Sequence, residues 1–372
     1  MSISPDRVLE LLRPVEDPEL RMSIVDLGMV RDVEVSEGSV RLAIALTVAG
    51  CPLRAEIDRR VRRALEGAGV GQIDVDFTVM TDEEREELRR RLGAEGGRSP
   101  ERPQRTIPFS QPGCTTRVLL IASGKGGVGK SSVTTNLAVA LAAQGADVAV
   151  VDADVWGFSI PRMLGVDRPP VVIDDLLIPP EAHGVRCISM GFFAREDQPV
   201  IWRGPMLHKA LEQFLADVWW GDLDFLVVDL PPGTGDISIS LAQFLPRSEV
   251  YVVTTPQPAA QKVAQRAAFM ARKVNLDVRG VIENMSWFTT EDGRRYEIFG
   301  SGGGEALAKE LGVPLVAQIP LVPALREGSD EGSPVVASEP DSEIARAFHE
   351  LAERIRVELA PKRLHHPDLK FV

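Results

Sequence analysis

Residues 117–137 read RVLLIASGKGGVGKSSVTTNL: an apolar strand, then a glycine-rich turn, then the start of a helix. A phosphate-binding loop has this order of elements, because its glycines let successive backbone N–H groups face phosphate oxygens and the following helix presents its positive N-terminal end. The stretch therefore predicts a site for a nucleoside triphosphate and Mg²⁺. The expected nucleotide contacts are Gly124, Lys125, Gly126, Gly127, Val128, Gly129, Lys130, Ser131 and Ser132.

Three side chains of the loop carry the expected chemistry. Lys130 is expected to contact the β- and γ-phosphates, and the hydroxyl of Ser131 is expected to bind Mg²⁺. Lys125 directly follows the first glycine, where it is badly placed to reach a nucleotide held by its own chain. We therefore expect Lys125 to contact the nucleotide of a second subunit. A cation placed there stabilises the charge that develops during phosphoryl transfer, so dimerisation becomes part of catalysis.

The composition favours a cytoplasmic protein of two domains. A chain of 372 residues with 44% hydrophobic residues is long and apolar enough to bury two cores. Its formal net charge of −12 argues against nucleic acid or an anionic membrane as the main partner, since both bind basic surfaces. No apolar run approaches the roughly 18 residues of a membrane span, and the N-terminus lacks the pattern of a signal peptide. The three cysteines form no close pair, which is typical of reduced thiols; they are Cys51, Cys114 and Cys187.

The chain divides by pattern into a small domain, a linker and a larger domain. Residues 1–92 combine helical and strand-like segments and predict a small α+β domain. Residues 93–115 are rich in Gly, Pro and Arg and predict a flexible linker. In residues 116–372, continuous apolar runs alternate with helical segments, which predicts a mostly parallel sheet covered by helices on both faces. The predicted fold class is therefore α/β, a P-loop NTPase preceded by the α+β domain.

Polar residues follow several of the predicted strands. Asp229 ends the apolar run DFLVVD, where a carboxylate can hold Mg²⁺, and residues 233–236, GTGD, can move when the γ-phosphate leaves. Asn284 ends another run, and its amide suits the edge of adenine, although an Asn at a strand end can also simply satisfy a turn. Asp152 and Asp154 end the second run, where a solvated acidic turn is the alternative to a functional role. Because ligands of parallel sheets bind at the carboxyl ends of strands, we expect these side chains at one edge.

The motifs together resemble a known group of ATPases. KGGVGKS, with its second lysine, resembles the deviant loop of the MinD/ParA/nitrogenase-iron-protein group, whose dimers place this lysine on the phosphates of the opposite subunit. With DADVWGFSIPRMLG, DLPPGTGD, TTPQ, ENMS and IFGSGGGE, it resembles the Mrp/ApbC family of iron–sulfur carrier ATPases over nearly the whole chain. Residues 1–92 resemble the iron–sulfur-assembly domain of bacterial members through Asp17-Pro18-Glu19, Ser23-Ile24-Val25-Asp26-Leu27-Gly28 and Gly50-Cys51-Pro52.

The resemblance implies a homodimeric, slowly turning, Mg²⁺-dependent ATPase. Such a protein binds iron–sulfur clusters and transfers them to client apoproteins, or assists their assembly on a scaffold. The resemblance assigns Lys125 and Lys130 to phosphate charge, Asp154 to the attacking water and Asn284 to the base. It makes residues 155–164, VWGFSIPRML, a switch segment. Ser131 and Asp229 keep their expected role at Mg²⁺, and Asp152 is expected to support the site.

One part of the resemblance fails. Family members that carry a cluster place a Cys-x-x-Cys pair between ENMS and the IFG stretch, whereas this chain has FTTEDG at residues 288–293. The thiolates that select an iron–sulfur cluster are therefore absent from the expected site. Cys51 is the best remaining thiol, because Pro52 favours the start of a helix, whose N-terminus stabilises a thiolate. Cys51 is thus the candidate for a transient cluster ligand, with an inert buried cysteine as the alternative.

Three other functions are alternatives to the carrier, and the sequence disfavours the first two. A positioning or partition switch of the MinD/ParA type requires a basic or membrane-seeking face, which this acidic chain does not show. A reductase like the nitrogenase iron protein requires cysteines near the second switch, and PPGTGDISISLAQF contains none. A family member that has lost its cluster and uses ATP to regulate partners stays open because of the missing cysteine pair. Iron and sulfide analysis of anaerobically purified protein discriminates this last function from the carrier.

Overall fold

The computed structural model describes residues 3–36, 39–47, 53–68, 70–92, 106–173, 176–193, 204–233 and 235–360. The chain forms two compact units. The first comprises Met1–Arg105, Pro170–Pro179 and Asp217–Trp219, and the second comprises Thr106–Pro169, Pro180–Ala216 and Trp220–Val372. Of the predicted linker, residues 93–105 lie outside the described residues, while Ile107 and Phe109 are buried.

The first unit is built on a three-stranded sheet. The elements of its N-terminal segment are α1 (Pro5–Leu12), β1 (Val30–Ser36), β2 (Ser39–Leu46), α2 (Arg54–Glu66), β3 (Gln72–Val79) and α3 (Asp82–Arg91). β1 is antiparallel to the central strand β2, and β3 is parallel to it. Helix α1 begins after Ser4, whose side chain accepts a hydrogen bond from the backbone N–H of Arg7, and Thr81 forms a capping box with Glu84 at the start of α3. The predicted α+β character of this region is confirmed.

The rest of the chain supplies most of the strands and helices. In chain order the elements are β4 (Arg117–Ser123), α4 (Lys130–Ala143), β5 (Val148–Asp152), α5 (Ile160–Met163), β6 (Val171–Ile173), β7 (Leu176–Ile178), β8 (Glu181–Ala182), β9 (Val185–Ser189), α6 (Gly204–Asp217), β10 (Phe225–Asp229), α7 (Asp236–Phe244), β11 (Glu249–Thr254), α8 (Pro258–Lys273), β12 (Asp277–Asn284), β13 (Phe288–Thr289), β14 (Arg295–Tyr296), α9 (Gly303–Leu311), β15 (Leu315–Ile319), α10 (Pro323–Glu331), α11 (Val335–Ser338) and α12 (Glu343–Glu353). Within the described ranges, no helix is long and apolar enough to span a membrane.

The second unit is built on an eight-stranded sheet with the order β15-β12-β11-β4-β10-β5-β9-β8. Neighbouring strands are parallel, except that β8 turns back to pair antiparallel with β9 at one edge. Strands β5, β10 and β11 are buried at every residue, as strands covered on both faces must be. Helices α4 and α12 share one hydrophobic cluster with this sheet, which includes Leu137 and Phe348. The predicted parallel-sheet fold is therefore confirmed.

The core of the first unit includes a hairpin from far along the chain. Strands β6 and β7 are antiparallel and belong to this unit. They share a hydrophobic cluster with α1 and β2, which contribute Leu12 and Ile44. The hairpin side chains buried in this cluster are Ile173, Leu176 and Ile178. The core of the first unit is thus built from segments far apart in sequence, and the domain boundary at residue 92 stays a prediction.

Candidate active site

The carboxyl ends of three neighbouring strands bring the predicted catalytic residues to one edge. β10 lies between β4 and β5, and Asp229 at its end pairs in register with Ile121 of β4 and Asp152 of β5. The phosphate-binding loop follows β4, and Asp154 follows β5. The sheet therefore places the loop and the carboxylates where ligands of parallel sheets bind.

The loop between β4 and α4 has a backbone shape that only its glycines permit. A Cβ on Gly124 would lie 2.2 Å from backbone atoms of Val263 and Ala264 in α8. Gly129 has a φ of 78° and precedes α4, whose first N–H groups receive no side-chain cap. The exposed residues of the loop are Lys125, Gly126 and Gly127. An exposed glycine loop next to a helix N-terminus without a side-chain cap fits a phosphate group.

The buried carboxylate of Asp229 is the centre of the site. Its Oδ2 atom accepts hydrogen bonds from Lys130 Nζ and Ser131 Oγ, each at 2.6 Å. Its Oδ1 atom accepts a hydrogen bond from Thr134 Oγ1, also at 2.6 Å. The side chain of Asp229 is 0% exposed and that of Lys130 is 6% exposed, so this ion pair is shielded from water. Thr134 was not among the residues predicted from the sequence, although its place one helical turn after Lys130 could have indicated it.

The residues around Asp229 fit a Mg²⁺ ion and a triphosphate. The Ser131 hydroxyl and the Asp229 carboxylate are hard oxygen donors of the kind that Mg²⁺ prefers, and their mutual hydrogen bond brings them to one place. A Cβ on Gly126 or Gly127 would meet no atom within 4 Å, so the loop has open space beside it. Ser132, another predicted contact, has its hydroxyl 3.4 Å from that of Ser329.

Asp152 lies beside Asp229 but serves the backbone of the next segment. It is fully buried and accepts hydrogen bonds from the backbone N–H groups of Ser159 and Ile160 and from Ser189 Oγ. Burial, and then the negative charge of Asp229, raise the pKa of Asp152 to about 7. Asp152 therefore anchors the start of α5.

Asp154 faces the same site from a tight turn. Its Oδ1 atom accepts a hydrogen bond from the backbone N–H of Gly157 at 3.1 Å. Burial raises the pKa of Asp154, while the positive charge of Lys130 opposes that shift. Trp156, in the middle of the turn, is 74% exposed. The turn thus combines a buried carboxylate near Lys130 with an exposed aromatic ring.

Asn284 contacts the phosphate-binding loop itself. Its Nδ2 atom donates a hydrogen bond to the carbonyl of Val128 at 2.9 Å, and a Cβ on Gly129 would lie 2.2 Å from this same Nδ2 atom. The Oδ1 atom of Asn284 is buried and has no hydrogen-bond partner. The amide therefore braces the loop through one end and leaves an acceptor at the other. The adenine contact expected of Asn284 stays a prediction.

The segment without the expected cysteine pair is a short hairpin. β13 pairs with β14, and Thr290 Oγ1 lies 2.5 Å from Asp292 Oδ1 in the turn between them. The buried Glu283 precedes the hairpin and accepts hydrogen bonds from Ser286 Oγ and, after the hairpin, from the backbone N–H of Gly304. Among the residues the structure describes, no group of three or more His, Cys, Asp or Glu side chains could hold a metal ion.

The structure describes two of the three cysteines. Cys51, the candidate transient cluster ligand, lies outside the described residues. Cys187 on β9 is fully buried, and burial raises its pKa well above the ordinary value, so its thiol is protonated and inert at neutral pH. Cys114 is partly exposed and free. Neither described cysteine lies in the residues that form the site around Asp229.

Comparison with known families gives matches to both parts of the chain. Residues 115–356 match the ParA family model, described as NUBPL iron-transfer P-loop NTPase. Residues 5–75 match a family described as iron-sulfur cluster assembly protein.

Curated relatives and solved structures extend these similarities. The chain is 50% identical over 350 residues to the iron-sulfur cluster carrier protein of Mycobacterium bovis, covering 92% of this chain and 90% of that protein. It is 36% identical over 362 residues to the iron-sulfur cluster carrier protein of Bacillus subtilis, and the match covers 96% of this chain and 99% of that protein. Among solved structures, it is similar to a nucleotide-binding protein of Archaeoglobus fulgidus in complex with ADP, with a TM-score of 0.54, 33% identity and coverage of 62% and 91%. It is also similar to the cell division ATPase MinD of Pyrococcus furiosus, with a TM-score of 0.51 and 28% identity; the match covers 66% of this chain and 99% of that protein.

Proposed function

The chain belongs to the ParA-type family of NUBPL iron-transfer P-loop NTPases, and on this premise we propose that it is a Mg²⁺-dependent ATPase that carries iron–sulfur clusters to apoproteins or assists their assembly. The observation that carries the proposal is the contact of Lys130 and Ser131 with one carboxylate oxygen of Asp229, beside an open glycine loop. The names of relatives that are 36% to 50% identical over most of the chain support the carrier function.

Each residue of the site has a distinct part in hydrolysis. Lys130 leaves Asp229 and contacts the β- and γ-phosphates, where its charge is most useful as the γ-phosphoryl group transfers. Ser131 and Asp229 are the residues that would hold Mg²⁺, which would neutralise phosphate charge. Asp154 orients the attacking water, and its raised pKa makes it a better proton acceptor than an ordinary aspartate. Turnover is slow until a partner completes the site.

The partner that completes the site is a second copy of the chain. Lys125 is exposed on the loop, which suits contact with the nucleotide of the other subunit. The other partners are client apoproteins or a scaffold protein in the cytoplasm. Nucleic acid and anionic membranes are not the main partners, because both bind basic surfaces and the net charge of this chain is −12.

No stable iron–sulfur cluster bridges two chains at residues 288–293 in this proposal. The oxygens of Thr, Asp and Glu in this hairpin are hard ligands and bind iron–sulfur clusters less favourably than thiolates do. Iron–sulfur chemistry then depends on Cys51, paired with a cysteine of a client or scaffold. The lack of cysteines in this hairpin is also compatible with a second candidate, a cluster-free regulatory or positioning switch of the MinD/ParA type.

Anaerobic reconstitution tests the carrier function and separates these candidates. Wild type, Cys51→Ser and the control Cys114→Ser are incubated with iron and sulfide, desalted and compared by visible absorption. A labile cluster that is lost only in Cys51→Ser supports the proposal. A robust cluster that survives desalting in all three proteins contradicts the assignment to Cys51. A wild-type chain that hydrolyses ATP but acquires neither iron nor sulfide contradicts the carrier function and supports the second candidate, the cluster-free switch.

A further inference from the structure

The two oxygens of the Asp229 carboxylate have different kinds of partner. Oδ2 contacts Lys130 and Ser131, the two side chains that the proposed function moves to phosphate and Mg²⁺. Oδ1 contacts only the hydroxyl of Thr134 among the bonds that the described residues show. The partners of Oδ2 must therefore leave it during the ATP cycle, whereas the partner of Oδ1 binds neither phosphate nor Mg²⁺ and can stay in place.

The hydroxyl of Thr134 has one hydrogen and two acceptors within reach. Asp229 Oδ1 lies at 2.6 Å, and the backbone carbonyl of Lys130 lies at 3.0 Å. A carboxylate is the stronger acceptor and makes the shorter bond, so the hydrogen is donated to Asp229. The carbonyl of Lys130 is an ordinary i−4 contact of a threonine inside a helix.

The position of Thr134 makes this hydrogen bond rigid. The residue is 0% exposed and lies a full turn into α4, behind the loop that faces the phosphates. Its side chain is β-branched, so few rotamers are open to it within a helix. Thr134 cannot follow Lys130 and Ser131 toward the nucleotide, because its place in the helix is fixed by packing.

We propose that Thr134 is a positioning residue, which keeps the Asp229 carboxylate oriented for Mg²⁺ while Lys130 and Ser131 change partners. Without it, Asp229 can rotate about its side-chain bonds once its two exchangeable donors leave, and the metal site loses its geometry. This proposal rests on the proposed function, since it concerns Mg²⁺ that arrives with a nucleotide. It adds a residue that neither the loop motif nor the strand-end aspartate identifies.

The test compares variants of Thr134 with a matched variant of its neighbour. Thr134→Val keeps the shape and removes the hydroxyl, and Thr134→Ser keeps the hydroxyl. Thr135→Val is the control, because Thr135 is also buried and, within the described part of the chain, its hydroxyl bonds to Met163 Sδ, at 3.7 Å, and not to Asp229. Binding of fluorescent ADP to the full-length chain is measured in EDTA and then during titration with Mg²⁺, so the readout does not depend on hydrolysis.

We expect Thr134→Val to bind ADP in EDTA within about twofold of wild type and to need about tenfold more Mg²⁺, equivalent to about 1.4 kcal/mol. Thr134→Ser and Thr135→Val should keep the wild-type Mg²⁺ requirement. An unshifted Mg²⁺ requirement in folded Thr134→Val overturns the proposal, as does an equal shift in Thr135→Val. If Thr134→Val does not fold, Thr134→Ala and Thr135→Ala give the same comparison.

The failures of the two proposals look different in this experiment. A wild-type chain whose ADP affinity does not change with Mg²⁺ contradicts the Mg²⁺ dependence of the proposed function. A wild-type chain that depends on Mg²⁺, with Thr134→Val indistinguishable from it, contradicts only the role of Thr134.

Discussion

At the scale of single residues, the site depends on the contacts that the buried carboxylate of Asp229 makes in place of water. Its ion pair with Lys130 places an ammonium against a fully buried carboxylate. Breaking such a pair from one side leaves an uncompensated buried charge, which costs about 3 kcal/mol or more. The lysine that holds Asp229 in this structure is also the one expected to hold the phosphates, so its removal affects both states.

Lys130→Ala should therefore weaken nucleotide binding and lower the hydrolysis rate by at least about 100-fold, because the β- and γ-phosphates lose their main side-chain cation. The nucleotide-free variant should also be less stable by about 3 kcal/mol. ATP hydrolysis, ADP affinity and urea unfolding measure these effects. Lys273→Ala, at an exposed lysine of the same unit, is the control. Full hydrolysis by a carefully purified Lys130→Ala protein is incompatible with the phosphate-loop assignment.

Asp152 makes stability depend on pH. Its pKa is about 7 in the folded chain and near 3.8 in the unfolded chain. Between these values the folded chain binds more protons, so the free energy of unfolding falls as pH rises from about 4 to about 7 and is then level. Asp152→Asn does not titrate, and between pH 5 and pH 8 its stability relative to wild type should rise by about 2–3 kcal/mol.

Urea unfolding at both pH values, without metal and nucleotide, checks the Asp152 prediction. Asp222→Asn, at an exposed aspartate, controls for the loss of one negative charge. The same pH dependence in wild type and Asp152→Asn would show that Asp152 has an ordinary pKa.

At the scale of elements, the β6–β7 hairpin is the part of the first unit most open to a direct test. Ile173 is 1% exposed in the core of this unit, whereas its neighbour Val172 is 53% exposed. Ile173→Asp should destabilise the first unit by about 3 kcal/mol or more, because it buries a charge without a partner. Val172→Asp should change the stability by less than about 0.5 kcal/mol.

Hydrogen–deuterium exchange of the full-length chain distinguishes the two hairpin variants. Amides of β2 in the first unit should exchange faster in Ile173→Asp and at the wild-type rate in Val172→Asp. Unchanged β2 exchange in both variants is the outcome that contradicts a place for the hairpin in this core.

The same elements show what a sequence can and cannot reveal. Strands β4, β10 and β11 are predictable because their apolar runs are continuous. The residues of the phosphate-binding loop are predictable because each contact with phosphate requires a particular residue type. The runs VVI in β6 and LLI in β7 are too short for a periodicity, and their partners are distant in sequence. The role of Thr134 was missed because α4 is buried nearly all round, so no apolar stripe indicates which side chain faces Asp229.

At the scale of the whole molecule, the question is whether one chain suffices for hydrolysis. The loop supplies two lysines: Lys130 forms an ion pair with Asp229 of its own site, while Lys125 is exposed. If Lys125 acts on the nucleotide of a second subunit, Lys125→Ala should bind ATP as wild type does and hydrolyse it slowly. ATP affinity and hydrolysis rate, measured separately, check this split, and Lys273→Ala is again the control.

Mixing two inactive variants tests action between subunits directly. In a heterodimer of Lys125→Ala and Asp154→Ala chains, the Lys125→Ala chain keeps its own Asp154 and receives an intact Lys125 from its partner, so one of the two sites is complete. The other site lacks both groups.

Random mixing makes half of the dimers heterodimers, so about a quarter of the wild-type activity should return if the active dimer is the form that assembles. If Lys125 instead serves its own nucleotide, every site in the mixture lacks one group. Activity no higher than that of either variant alone, with heterodimers verified by native mass spectrometry, then assigns Lys125 to its own chain and makes dimerisation unnecessary for the chemistry.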